Sequence, residues 1–237
     1  MTLNNFNVYM IEIAQLLLQA RPSLSHQVDV TGSSPLHYAA SIGDHRMIQL
    51  LLHHDASIAY LLDKDGLSPI HVAATMGYTG IITELIKHCP DVVELTDKKG
   101  RNFLHVAIEN KTLQVVKYVL NNPTLKELLN EADRSGNTPL HYATISHNLE
   151  AVHLLLADER IDTRSRNHKG LTPLDLASLC VDSSIRLRMV CLTISIPMYM
   201  IWNCFALCNI SNSSRETRKP AKPQVEVNLP KILVPTL

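Results

Sequence analysis

Short apolar blocks alternate with polar, glycine-bearing turns through most of the chain, and the alternation keeps a fixed period. The opening block of each unit reads Gly32-Ser33-Ser34-Pro35-Leu36-His37-Tyr38-Ala39, then Gly66-Leu67-Ser68-Pro69-Ile70-His71-Val72-Ala73, and later Gly136-Asn137-Thr138-Pro139-Leu140-His141-Tyr142-Ala143. Looser copies are Gly100-Arg101-Asn102-Phe103-Leu104-His105-Val106-Ala107 and Gly170-Leu171-Thr172-Pro173-Leu174-Asp175-Leu176-Ala177. Successive glycines in this series lie 34, 34, 36 and 34 residues apart. Asp29, Asp63, Asp97, Asp133 or Asn167 stands three positions before each one. Self-similarity at such a period marks a repeat architecture.

Each phrase has a physical reading. Asp-x-x-Gly is turn chemistry, an acceptor side chain opening the turn and glycine taking the positive φ. Ser34, Ser68, Asn102, Thr138 and Thr172 suit a helix N-cap, and proline at the next position suits the first helical site. A second apolar stretch follows, as in Met47-Ile48-Gln49-Leu50-Leu51-Leu52 and Val115-Val116-Lys117-Tyr118-Val119-Leu120, with the pattern of a second helix. One unit is therefore a turn plus two short antiparallel helices. It cannot bury its apolar face alone, but stacked units form a solenoid.

These residues resemble ankyrin repeats over about residues 28–180. The resemblance implies an all-α ankyrin-repeat solenoid of helix-turn-helix units with β-turn or hairpin tips. Five units are expected at 28–61, 62–95, 96–131, 132–165 and 166–180, the last partial. Tyr9-Met10-Ile11-Glu12-Ile13-Ala14-Gln15-Leu16-Leu17-Leu18 is similar to the outer helix of a truncated first repeat, residues 1–27. Proline-bearing links at Arg21-Pro22-Ser23-Leu24, Cys89-Pro90-Asp91-Val92-Val93 and Asn122-Pro123-Thr124-Leu125 echo one another. With the Gly66 and Thr172 phrases, they resemble the plant ankyrin proteins with a C-terminal PGG membrane domain, a family that includes accelerated-cell-death regulators. That resemblance implies defence or stress signalling at the plasma membrane, with cytosolic repeats. The sequence contains no Pro-Gly-Gly.

Departures from the pattern predict weak points. Gly43 and Gly77 close the turn between helices in two units, but Lys111 and His147 hold that place in the next two. A non-glycine residue forced into a left-handed conformation costs about 1 kcal/mol. Phe103 also replaces the helix-starting proline. The unit carrying both Lys111 and Phe103, fourth when the truncated one is counted, is expected to be the softest.

Beyond residue 180 the character changes. Residues 1–180 hold 15 basic and 19 acidic side chains, and residues 181–237 hold 7 and 3. Met189 to Ile210 is a run of 22 uncharged residues, 17 of them apolar, near the length of about 20 that a bilayer-spanning helix needs. The expectation is a membrane-spanning segment at 189–210 followed by a disordered basic tail at 211–237. The plainer alternative is an alternative or read-through ending, leaving a soluble, cytoplasmic ankyrin adaptor. Arg186 and Arg188 before the run, with Arg215, Arg218, Lys219 and Lys222 after it, leave its topology open.

Overall composition narrows the function classes. Lys plus Arg and Asp plus Glu both number 22, which argues against a chain whose main work is gripping nucleic acid. Twelve histidines are present, but His37, His71, His105 and His141 share one repeat position, where imidazole would bond the local hydroxyl and backbone. No catalytic or metal-binding motif occurs, and Cys204-x-x-x-Cys208 lacks partners for zinc. No enzyme, cofactor, metal or small-molecule substrate is expected.

Binding is the expected role, with a protein partner. Residues inside and just after Asp-x-x-Gly project at the tips, and from the second full unit onward every tip carries a cation. Lys64 (beside Asp65), Lys98, Lys99, Arg101, Arg134 and Lys169 form the series. With units about 10 Å apart and a screening length of about 8 Å at physiological salt, they should act as one positive edge that docks an acidic segment. Ser41, Ile42, Thr75, Met76, Glu109, Asn110, Ile145 and Ser146, which follow the alanine pairs or their equivalents, are expected to line the adjoining helix face.

Overall fold

The computed structural model describes residues 3–179, with side chains from residue 9 onward. The apolar run 189–210, the basic tail 211–237, Cys204 and Cys208 lie outside the described residues. The described residues form an all-helical solenoid with no strand. No helix among them is long and apolar enough to cross a membrane.

An outer helix, α1 (Leu3–Ala20), precedes four helix pairs: α2 (Pro35–Ile42) with α3 (His45–His54), α4 (Pro69–Met76) with α5 (Thr79–His88), α6 (Phe103–Glu109) with α7 (Leu113–Leu120), and α8 (Pro139–Ile145) with α9 (Leu149–Leu156). The inner helix α10 (Pro173–Ser178) follows. The inner helices α2, α4, α6, α8 and α10 stack in that order. Behind them α1, α3, α5, α7 and α9 form the outer layer. Leu36, Ile70, Leu104 and Leu140 sit at one repeat position and are fully buried between the layers, as are Ile48, Ile82, Val116 and Val152 on the outer helices. The alanine pairs Ala39-Ala40 and Ala73-Ala74 are buried too, because a small side chain is what lets neighbouring inner helices approach. Deleting the side chain of one of these leucines would cost about 2–5 kcal/mol.

The links between units are more ordered than their sequence suggests. Each is a short 3-10 helix, at Pro22–His26, Ala56–Tyr60, Pro90–Glu94 and Pro123–Leu129. Proline opens three of them, and in the second the Asp55 carboxylate does that work by accepting from the Ser57 N–H at 2.9 Å.

The tips, expected as β-turns or hairpins, are turns closed by the Asp-x-x-Gly chemistry. The Asp63 carboxylate accepts the Asp65 and Leu67 N–H groups at 2.9 and 2.8 Å. Backbone bonds join the first tip to the second, the third to the fourth and the fourth to the fifth. Lys64 N–H donates to the Thr31 carbonyl, Arg134 N–H to that of Lys99 and His168 N–H to that of Ser135, each at 2.9 Å. Gly66 has to be glycine for two reasons: its φ is +82°, and an added Cβ would lie 2.7 Å from the Lys98 nitrogen of the next tip. Lys111 and His147 adopt φ of 60° and 51°, the left-handed conformation that their glycine counterparts Gly43 and Gly77 hold without strain.

Candidate partner-binding surface

The surface is built on a histidine network that ties each inner helix to the next tip. Backbone N–H groups of Ser34, Ser68 and Thr138 donate to Nδ1 of His37, His71 and His141 at 3.1, 3.3 and 3.2 Å. That leaves Nε2 as the protonated nitrogen, and it donates to the Leu67, Arg101 and Leu171 carbonyls of the following unit at 3.0, 3.0 and 3.1 Å. Burial lowers the pKa of all three rings, so they are neutral at pH 7. These histidines are structural.

His105 differs. Its Nδ1 lies 2.7 Å from Oδ1 of Asn102, which also accepts the Leu104 and His105 N–H groups, and its Nε2 lies 3.0 Å from the Asn137 carbonyl. Burial pulls this ring down to about 4, so at neutral pH it has one proton for two facing oxygens. The Asn102 cap is therefore poorer for its histidine than serine or threonine, which adds to the strain of Lys111 in the same unit.

Lys64, Asp65, Lys98, Lys99, Arg134 and Lys169 are exposed at the tips. Lys98 Nζ donates to the Lys64 carbonyl, which ties the Lys98 side chain to the preceding tip. His168 is exposed beside Lys169. Behind the tips the inner helices end in Ile42, Met76 and Ile145, which are 69%, 49% and 48% exposed. Between them lie polar residues that spend a donor on their own helix. Ser41 and Ser146 donate to the Tyr38 and Tyr142 carbonyls, Thr75 to His71 and Asn110 to Val106, at 2.8–3.0 Å.

Arg101 corrects the expectation of an exposed tip cation at its position. It is 7% exposed because its guanidinium turns inward instead of projecting. Nε and Nη2 each lie 2.7 Å from Asp97 Oδ2, and Nη1 donates to Glu109 Oε2. The guanidinium carbon lies 5.9 Å from the ring centroid of Tyr142 in the next unit. Burial pushes the Asp97 carboxyl up, but the Arg101 hydrogen bonds outweigh burial and hold it below its ordinary value. Glu109 is thus engaged at the surface by an ion pair with Arg101. Sequence inspection misses Tyr38 and Tyr142, whose hydroxyls donate to Asp29 and Asp133 at 2.7 and 3.0 Å. Their shared position six residues after each glycine is the available signal.

Among the described residues no three His, Cys, Asp or Glu side chains are arranged to hold a metal ion. The surface offers charge, hydrogen bonds and apolar contact to another chain.

Matches to the family Ankyrin repeats (3 copies) cover residues 5–93, 57–126, 90–167 and 120–188. The chain belongs to the ankyrin-repeat family. No curated protein matches it in sequence. Among solved structures, it is similar to the ankyrin repeat domain of Bcl-3, titled a unique member of the IkappaB protein family. The TM-score is 0.66 at 22% identity, over 80% of this chain and 81% of that one. At that identity the likeness speaks for the fold alone. Ankyrin repeats are typically non-catalytic interaction modules, and a protein partner is consistent with the family match.

Proposed function

We propose that this chain is a protein-interaction scaffold whose tip edge docks an acidic segment of its partner. One observation carries the reading: Lys64, Lys98, Lys99, Arg134 and Lys169 are all exposed along one edge, and backbone bonds between adjacent tips fix much of its spacing. An exposed ion pair contributes at most about 1 kcal/mol, so several must act together. Exposed Ile42, Met76 and Ile145 add apolar anchorage beside them. The test is capture of the full chain on immobilised polyglutamate, compared with a variant carrying Lys64→Glu, Lys98→Glu, Lys99→Glu and Arg134→Glu. The variant should keep its helical circular dichroism and lose capture; equal capture of both rejects the reading.

The apolar run at 189–210, with the likeness of the repeat phrases to plant ankyrin proteins that carry a PGG domain, supports a membrane-tethered form acting in defence or stress signalling. Carbonate extraction of membranes tests the tether. The full chain should stay in the pellet and a chain lacking 189–210 should be released. Release of both would favour the soluble adaptor.

A further inference from the structure

Arg101 has two carboxylate partners of different kinds. Asp97 belongs to the turn: its side chain is 2% exposed, and it also accepts the Lys99 and Arg101 N–H groups at 2.8 and 2.9 Å. It takes the Nε and Nη2 edge of the guanidinium. Glu109 is the last residue of α6, with a side chain 45% exposed, and it takes Nη1. The Tyr142 ring lies against the guanidinium. With one edge filled by Asp97 and a face near Tyr142, the Nη1 edge is the open approach for a carboxylate from solvent, and Glu109 occupies it. In the other units the position of Arg101 holds Ser33, Leu67, Asn137 or Leu171, and that of Glu109 holds Ser41, Thr75, Ile145 or Leu179. The pair is peculiar to unit three.

We infer that Glu109 is a built-in stand-in for the partner's carboxylate, and that Arg101 is the residue an acidic partner engages by displacing it. This rests on the tip-edge reading and names its specificity-determining residue and its restraint. The exchange is chemically even: one charge-assisted hydrogen bond to Nη1 is replaced by another, and the released Glu109 carboxylate, already half in water, is hydrated. Asp97 stays in place throughout and keeps the guanidinium oriented. Glu109 therefore tunes affinity without being needed for the fold, and a partner lacking a carboxylate at that register leaves the latch closed.

The test measures binding of a short fluorescent polyglutamate peptide to the full chain by anisotropy. Glu109→Gln removes the competitor and should tighten binding by about fivefold, the upper range for an ion pair with one exposed member. Glu127→Gln makes the same charge change at an exposed position on the Pro123–Leu129 link, outside the tips, and should alter affinity less than about twofold. Glu109→Asp, which keeps the charge, should stay near the parent. Adding Arg101→Lys to Glu109→Gln should erase the gain, because a lysine cannot hold Asp97 and a second carboxylate in the same planar fork. Equal gains from Glu109→Gln and Glu127→Gln would overturn the inference, since net charge alone would then explain them, and would leave the tip-edge reading standing. Absence of binding by the parent and by Glu109→Gln would overturn both.

Discussion

Alanine at two equivalent glycines separates the cost of backbone conformation from the cost of breaking the stack. Gly66 and Gly170 hold nearly the same φ, +82° and +74°. At Gly170 an added Cβ meets no described atom within 4 Å, whereas at Gly66 it would meet the Lys98 nitrogen at 2.7 Å and the Asp97 carbonyl carbon at 3.3 Å. Positive φ alone penalises alanine by about 1 kcal/mol, which is the whole expected effect of Gly170→Ala. Gly66→Ala adds the cost of forcing the next tip's backbone away, about 1–3 kcal/mol for overpacking of this kind. Its total is then about 2–4 kcal/mol. Urea unfolding of the full chain, followed by circular dichroism, measures both losses. Equal losses at the two sites would refute the claim that tip-to-tip contact, rather than the turn alone, requires glycine.

Two further outcomes follow from the strained and buried groups. Lys111→Gly relieves a φ of 60° and should raise stability by about 1 kcal/mol; no change in the urea midpoint would contradict it. The second concerns pH. Burial lowers the pKa of His37, His71 and His141, so the unfolded chain binds their protons more tightly. Stability should be complete above the ordinary histidine value of 6.5 and decline as pH falls below it. Asp97, held below 3.8, titrates later and does not mask the decline. Urea midpoints at about pH 7.5 and about pH 5 check this, and an unchanged or higher midpoint at the lower pH would contradict it.

Local chemistry was legible in the sequence wherever one short phrase sets one local structure. Asp-x-x-Gly announced the tips, Ser34-Pro35 and its copies announced the inner helices, and the absence of glycine at Lys111 and His147 marked two strained turns that the structure holds at positive φ. The 3-10 links were only half visible: proline hints at three, but Ala56–Tyr60 has no such mark and depends on Asp55. Arg101 was misread because its position in the phrase is a projecting one. Its inward turn depends on Asp97 in the same turn, on Glu109 a helix length away and on Tyr142 in the next unit. No single repeat contains that set, so periodicity averages over it. The fate of His105 has the same origin, since Asn102 satisfies a helix cap as serine does but offers an oxygen where the ring needs a donor.

The salt dependence of polyglutamate binding tests the central claim most directly, that exposed cations on stacked tips act together on an acidic chain. Raising ionic strength from about 0.05 M to about 0.5 M shortens the screening length well below the spacing of about 10 Å between units. Affinity of the full chain should fall by at least about tenfold over that range, while the helical circular dichroism stays constant. An affinity indifferent to salt would contradict the account.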